Sequence, residues 1–176
     1  MDEVGGVLLL LSGFSLGAWW AARQFLLHGR LDPKTGCLSP DFFLFLLRKE
    51  MARAQRTGKP FTLLFLDLDG FKEVNDRYGH LRGDEVLAAA VEAMRRAMRE
   101  EDVVCRWGGD EFCVLLAPGA NDEAAAIRIR REVAEATGLG VSVGRSRWHP
   151  EVREPEEMVR EADEDMYRDK RSRKTG

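Results

Sequence analysis

Residues 102–116 read Asp102-Val103-Val104-Cys105-Arg106-Trp107-Gly108-Gly109-Asp110-Glu111-Phe112-Cys113-Val114-Leu115-Leu116. Two runs of strand length, residues 102–107 and 110–116, flank a Gly-Gly pair. A glycine pair between such runs predicts a tight two-residue hairpin, because the favoured turns place positive φ at their central positions. The hairpin carries Asp110 and Glu111 at its tip.

The flanking sequence extends this hairpin into a domain. Upstream, residues 61–66 form a continuous apolar run of strand length, which predicts a central strand buried on both faces. Asp67-Leu68-Asp69-Gly70 ends it. A short helical piece over residues 71–77 leads to a turn at Tyr78-Gly79-His80, and a longer helix rich in Ala, Leu and Met follows over residues 83–99. Downstream come a helix over residues 121–136 capped by Asn121, a strand over residues 140–147 and a last helix over residues 155–173. Ahead of the first strand, residues 29–36 carry the turn chemistry of a connector. Ser39 and Pro40 suit the N-cap and first position of a helix reaching residue 56. The core order is βαββαβ. The expected fold class is α+β, a ferredoxin-like antiparallel sheet with flanking helices, preceded by an N-terminal hydrophobic helix. That architecture hosts many activities and names none.

The formal net charge is −3, which gives no support to a nucleic-acid partner. The three cysteines, Cys37, Cys105 and Cys113, are odd in number. Cys105 and Cys113 lie in apolar runs and read as buried small hydrophobes in a reducing compartment. No Cys/His cluster suggests zinc. Residues 4–22 carry no charge, and Trp19 and Trp20 sit near one end of that run. A spanning helix needs about 20 apolar residues. Acidic Asp2 and Glu3 ahead of it and basic Arg23, Arg30 and Lys34 behind it would put the following domain in the cytoplasm, anchored at the cell membrane. A hydrophobic helix packed on the domain or a partner fits the same run. The chain divides into residues 1–29, this helix and connector, and residues 30–176, the α+β domain.

Asp67 and Asp69 end a buried strand, and Asp110 and Glu111 occupy a hairpin tip. If the two are sheet neighbours, the carboxylates converge at one edge. Such a cluster suits a hard divalent cation, which takes oxygen ligands and completes its shell with substrate phosphates. Ions so held activate a hydroxyl for attack on phosphorus. Gly108 and Gly109, without side chains, let a large ligand lie against the backbone. From spacing alone, a solvated acidic loop on an ordinary turn is the commoner reading.

Arg106-Trp107-Gly108-Gly109-Asp110-Glu111-Phe112 resembles the signature of the GGDEF, or diguanylate cyclase, family. Phe65 to Lys72 followed by Asn75-Asp76 resembles its FxDxDxFKxxND block, and Tyr78-Gly79-His80-Leu81-Arg82-Gly83-Asp84 its YGHxxGD block. Asp32-Pro33-Lys34-Thr35-Gly36 resembles the opening motif D-x-LTGL, and Ala162-Asp163 through Met166-Tyr167 to Lys170 the closing helix.

The resemblance implies condensation of two GTP into cyclic di-GMP and two pyrophosphates, with Mg2+ (or Mn2+) as cofactor, in a homodimer whose half-sites face each other. It implies Asp67, the Leu68 carbonyl, Asp110 and Glu111 as metal ligands, with Asp110 and Glu111 catalytic. It implies Asn75 and Asp84 as readers of guanine, and His80, Lys72, Gly108, Gly109, Lys170 and Lys174 as further substrate contacts. A carboxylate suits guanine because it accepts from N1–H and N2–H together. Arg99 and Asp102 form an RxxD at the offset of the family's product-inhibition site; an ion pair at a helix end fits that spacing too. Gly13-x-x-x-Gly17 has the spacing of a close helix pair, which would let the N-terminal helix assemble the dimer.

Some positions depart from the pattern. Lys34 replaces the usual leucine of the opening motif, Ser39-Pro40 stands where Asn-Arg is common, and the closing Gly-Arg appears as Arg173-Lys174. The competing readings are a degenerate domain that senses cyclic di-GMP without making it, and a membrane scaffold with incidental nucleotide binding. The retained acids Asp67, Asp110 and Glu111 speak against a degenerate domain.

Overall fold

A computed structural model describes residues 30–174. The hydrophobic helix expected at residues 4–22 lies outside the described residues. Among the described residues, no helix is long and apolar enough to cross a membrane.

The elements run α1 (Pro40–Thr57), β1 (Thr62–Leu68), α2 (Phe71–Tyr78), α3 (His80–Ala97), β2 (Val103–Gly108), β3 (Glu111–Leu116), α4 (Asp122–Thr137), β4 (Val141–Arg147) and α5 (Pro155–Lys174). The four strands form one sheet in the order β2-β3-β1-β4. Every pairing is antiparallel. This is the ferredoxin-like order expected from the βαββαβ pattern, with β1 and β3 in the centre.

Strand β1 is buried along its whole length. Alternate residues of a strand face opposite sides, and β1 feeds two cores. Leu64, Leu66 and Leu68 pack with residues of α3 and α4 such as Leu87, Met94, Ile129 and Val133. Leu63 and Phe65 pack with Phe43 and Leu47 of α1 and Met158 and Met166 of α5. The continuous apolar run follows from this double burial. All three cysteines are buried and unpaired, as the apolar context of Cys105 and Cys113 suggests for those two.

Ser39 and Pro40 take the N-cap and first position of α1 as expected, although the serine side chain makes no capping bond. Asn121 does cap α4, accepting from the Ala124 amide at 2.9 Å. Two boundaries differ from the sequence expectation. Helix α3 begins at His80 rather than three residues later, because Gly79 alone, at φ +83°, makes the turn. The hairpin tip also shifts. Gly108 pairs with Glu111 inside the sheet, and Trp107 bulges from β2 between the Arg106–Phe112 and Gly108–Glu111 pairs. The turn residues are therefore Gly109 and Asp110. Only Gly109 has positive φ, at +29°.

Candidate functional site

The parity of β1 places the first acid. Asp67 follows Phe65 by two residues and so faces α5. There the Lys170 ammonium donates to Asp67 Oδ1 at 2.5 Å. Glu111 stands directly across from Asp67 in the β1–β3 register. Asp110 is tied beside them: its backbone carbonyl accepts from the Leu68 amide at 3.2 Å. The strand end and hairpin tip thus meet at one sheet edge.

The electrostatics are those of crowded like charges. Burial, reinforced by the Asp67 charge, raises the Asp110 carboxyl above its ordinary pKa. Burial, then Asp67, Asp163 and Asp110, does the same to Glu111. Burial pulls the Lys170 ammonium down, but its hydrogen bond to Asp67 and the charges of Asp67, Asp69 and Asp110 outweigh it and hold it above the usual lysine range. Among the described residues, no group of three or more His, Cys, Asp or Glu side chains is arranged to hold a metal ion. The carboxylates instead form an open shelf. Such a shelf would leave positions for water and substrate phosphate on a divalent cation held by one or two of the carboxylates.

A cavity of about 520 Å³ opens in front of this shelf, lined by Asp69, Phe71, Lys72, Asp110, Lys170 and Arg173 among others. Four of the predicted site residues line it: Leu68, Lys72, Asp110 and Lys170. Arg173 is a cation that motif matching passes over in favour of Lys174. It donates from Nη2 to Asp69 at 2.9 Å and from Nη1 to the Val141 carbonyl at 2.6 Å. Ser142 also donates to Asp69, at 2.7 Å. Asp69 therefore organises the cavity wall.

Arg106 latches the hairpin tip. Its Nε and Nη2 donate to the Gly109 carbonyl at 3.1 and 2.8 Å, and its Nη1 reaches Asp32 at 3.2 Å. Burial pushes the Asp32 carboxyl up, but the Thr35 hydroxyl and amide and the Arg106 guanidinium outweigh it, leaving Asp32 below its ordinary value. The opening motif thus braces the signature hairpin.

The residues expected to read the base lie on α2 and α3. Asn75 sits so close to Gly83 that a Cβ there would fall 2.0 Å from its Oδ1. The next residue, Asp84, has a partner no local pattern announces: Lys34 Nζ donates to its two oxygens at 2.8 and 3.0 Å, across 50 positions of sequence. His80, the first residue of α3, is exposed.

Arg99 and Asp102 lie apart, beside a second cavity of about 320 Å³ that they line with Cys37, Leu38, Arg95 and Met98. The Asp102 carboxylate is buried and accepts from the Arg99 amide and the Ala117 amide, each at 2.9 Å. It thereby fixes the backbone that presents the Arg99 side chain.

Comparisons with known proteins agree with this geometry. A family model described as "Diguanylate cyclase, GGDEF domain" matches residues 30–175. Diguanylate cyclase DosC of Escherichia coli (strain K12) is 36% identical over 154 residues, covering 80% of this chain and 33% of its own. The chain thus spans about a third of the length of that relative. Among solved structures, diguanylate cyclase SiaD of Pseudomonas aeruginosa, in complex with its activator SiaC, aligns with a TM-score of 0.76 at 33% identity, covering 89% of this chain and 64% of that one. A microbial GGDEF domain, described by its interaction with bis-(3,5)-cyclic di-GMP, aligns with a TM-score of 0.72 at 37% identity, covering 82% and 92%.

Proposed function

The chain belongs to the GGDEF diguanylate cyclase family, and on that premise we propose that it condenses two GTP into cyclic di-GMP and two pyrophosphates. The observation that carries the proposal is the meeting of Asp67, Asp110 and Glu111 at one sheet edge, with Asp110 lining a cavity whose walls also carry Lys72, Lys170 and Arg173. Acids to hold a cation and bases to hold phosphates are the two halves of a phosphoryl-transfer site. Asp67, the Leu68 carbonyl, Asp110 and Glu111 would hold Mg2+ (Mn2+ has the same preference for oxygen), which supplies charge neutralisation at the α-phosphate. Lys72, Lys170 and Arg173 bind the phosphate chain. Gly108 and Gly109 leave room for the nucleotide. Asn75 and Asp84 read guanine, His80 flanks them, and Lys174 adds positive charge at the end of α5. Asp110 accepts the proton of the 3′-hydroxyl as it attacks the α-phosphate of the other GTP.

One site binds one GTP, so the reaction needs two copies facing each other, most simply about a two-fold axis. Arg99 and Asp102 take up the product and restrain the enzyme. Their shared cavity supports this reading over a bare helix-end ion pair, since the Asp102 carboxylate accepts from the Arg99 and Ala117 amides rather than from the Arg99 guanidinium.

The test is to incubate the chain with GTP and Mg2+ and separate the nucleotides by chromatography. Cyclic di-GMP should accumulate and then stall as it builds up, and Arg99→Ala should abolish the stall. A dimeric chain that forms no cyclic dinucleotide overturns the enzyme reading in favour of a sensor or scaffold. Membrane tethering and pairing through residues 4–22 belong to the same proposal, resting on their uncharged sequence. Deletion of residues 1–28 should weaken dimerisation and lower activity; unchanged values of both would remove that part.

A further inference from the structure

The contact between Lys34 and Asp84 changes what the base site can read. Position 34 departs from the opening motif of the family, and Asp84 is the carboxylate assigned to guanine. The ammonium sits astride both carboxylate oxygens at 2.8 and 3.0 Å. Both side chains are well exposed, at 52% and 40%, so the pair contributes little to holding the fold together. Nor do its neighbours require it. Thr35 and Gly36 of the same turn are fixed by Asp32: its Oδ1 accepts from the Thr35 amide and hydroxyl, and its carbonyl from the Gly36 amide. Lys34 is thus free of structural duty and is aimed at the base reader.

Guanine presents, in order, an O6 acceptor and the N1–H and N2–H donors. A lone carboxylate answers the two donors and leaves O6 to water. An ammonium has three donors and a flexible stem, and an ionised carboxylate has about four lone-pair sites. For the base to dock, the ammonium gives up one of its two bonds to Asp84 and yields the face between the oxygens to N1–H and N2–H. Lys34 keeps one bond to the neighbouring lone pair and stands beside O6, which adjoins N1. We infer that Lys34 is a specificity-determining residue of this chain, donating to guanine O6 while Asp84 accepts from N1–H and N2–H. Adenine opposes this triple: it offers a donor where Lys34 donates and an acceptor where Asp84 accepts. The inference rests on the nucleotide reading above and adds a third contact to it.

The test measures equilibrium binding of 3′-deoxy-GTP and its 6-thio analogue to the full chain by calorimetry. The missing 3′-hydroxyl prevents turnover, and sulfur at position 6 accepts hydrogen bonds poorly while N1–H and N2–H are kept. Wild type should prefer the oxo base by about tenfold, the span of one charge-assisted hydrogen bond at a partly exposed site. Lys34→Met should lose that preference and weaken oxo binding to the level of the thio analogue, with an unchanged Tm. Lys34→Arg should retain the preference. In turnover, the Lys34→Met loss should fall on KM for GTP rather than on kcat. A wild type that binds both bases equally overturns the proposal without any variant. So does a Lys34→Met that binds the oxo base as well as wild type or better, which would make Lys34 a bystander or an obstacle. Chromatography with ordinary GTP separates the two readings: base preference without cyclic di-GMP removes the cyclase reading and leaves the third contact standing, and cyclic di-GMP without the preference does the reverse.

Discussion

Asp110→Asn should lower cyclic di-GMP formation by roughly 10²–10⁴-fold, the range for loss of a positioned general base, while leaving the protein folded. At 1.36 kcal/mol per decade that is about 3–5 kcal/mol of barrier. Asparagine keeps the shape of the tip, since the backbone carbonyl that binds the Leu68 amide is untouched. It removes the charge and the proton acceptor. The effect on stability has a definite sign. Burial and Asp67 raise the folded-state pKa of Asp110 above its unfolded value. The cost of the charged form is absent below the unfolded pKa and is fully present once pH exceeds the folded one. Near neutrality wild type therefore carries that cost, and Asp110→Asn does not. Its Tm should equal or exceed that of wild type. Activity assays beside thermal melts check both halves. A variant that keeps more than a tenth of wild-type activity would remove Asp110 from the chemistry, and one that melts well below wild type would make it structural.

Gly144→Ala should damage the fold severely although it adds only one methyl group. Gly144 pairs with Phe65 in the middle of the β1–β4 ladder. A Cβ there would fall 2.0 Å from the Ala162 carbonyl oxygen and the Met166 nitrogen, and 2.6 Å from Met166 Cα. These are backbone atoms of α5, so no rotamer change relieves the clash. Helix α5 must move away from the sheet. Overpacking typically costs 1–3 kcal/mol, and this case belongs at or above the upper end, about 3 kcal/mol. For a domain of this size that lowers Tm by roughly 6–12 °C. Because α5 carries Lys170 and Arg173, the displacement should also weaken GTP binding. Gly108→Ala is the contrast: its Cβ would meet nothing nearer than Glu111 Oε2 at 3.6 Å. That variant should melt like wild type. Equal melting of both variants would refute the packing argument.

What was legible in the sequence was local. The apolar run before Asp67 announced a strand buried on both faces because nothing along it breaks the burial. The runs either side of Gly108-Gly109 announced the hairpin, and their order with the helices gave the sheet. The position of the turn was not legible, since the Trp107 bulge arises from sheet register and from the edge-on contact of Trp107 with Phe65, 6.3 Å between ring centres. The meeting of acids from two strand ends was legible, but their neutralising partner Lys170 is 103 positions from Asp67. Motif matching selected Lys174 and passed over Arg173, which lines the cavity. The Lys34–Asp84 contact joins a turn to a helix that no shared periodicity links. The clash that makes Gly144 indispensable needs the helix across the sheet.

The two halves of the site differ in how they are built. Asp67 and Glu111 belong to central strands with both faces covered, and the Asp67 side chain is only 13% exposed. Lys34 and Asp84 stand on an outer turn and an outer helix, joined by a pair open to water. Substitutions at the outer pair leave the strands beneath undisturbed. On the proposed roles, nucleobase preference would respond to the outer pair alone, while the residues proposed for phosphoryl transfer would keep their places.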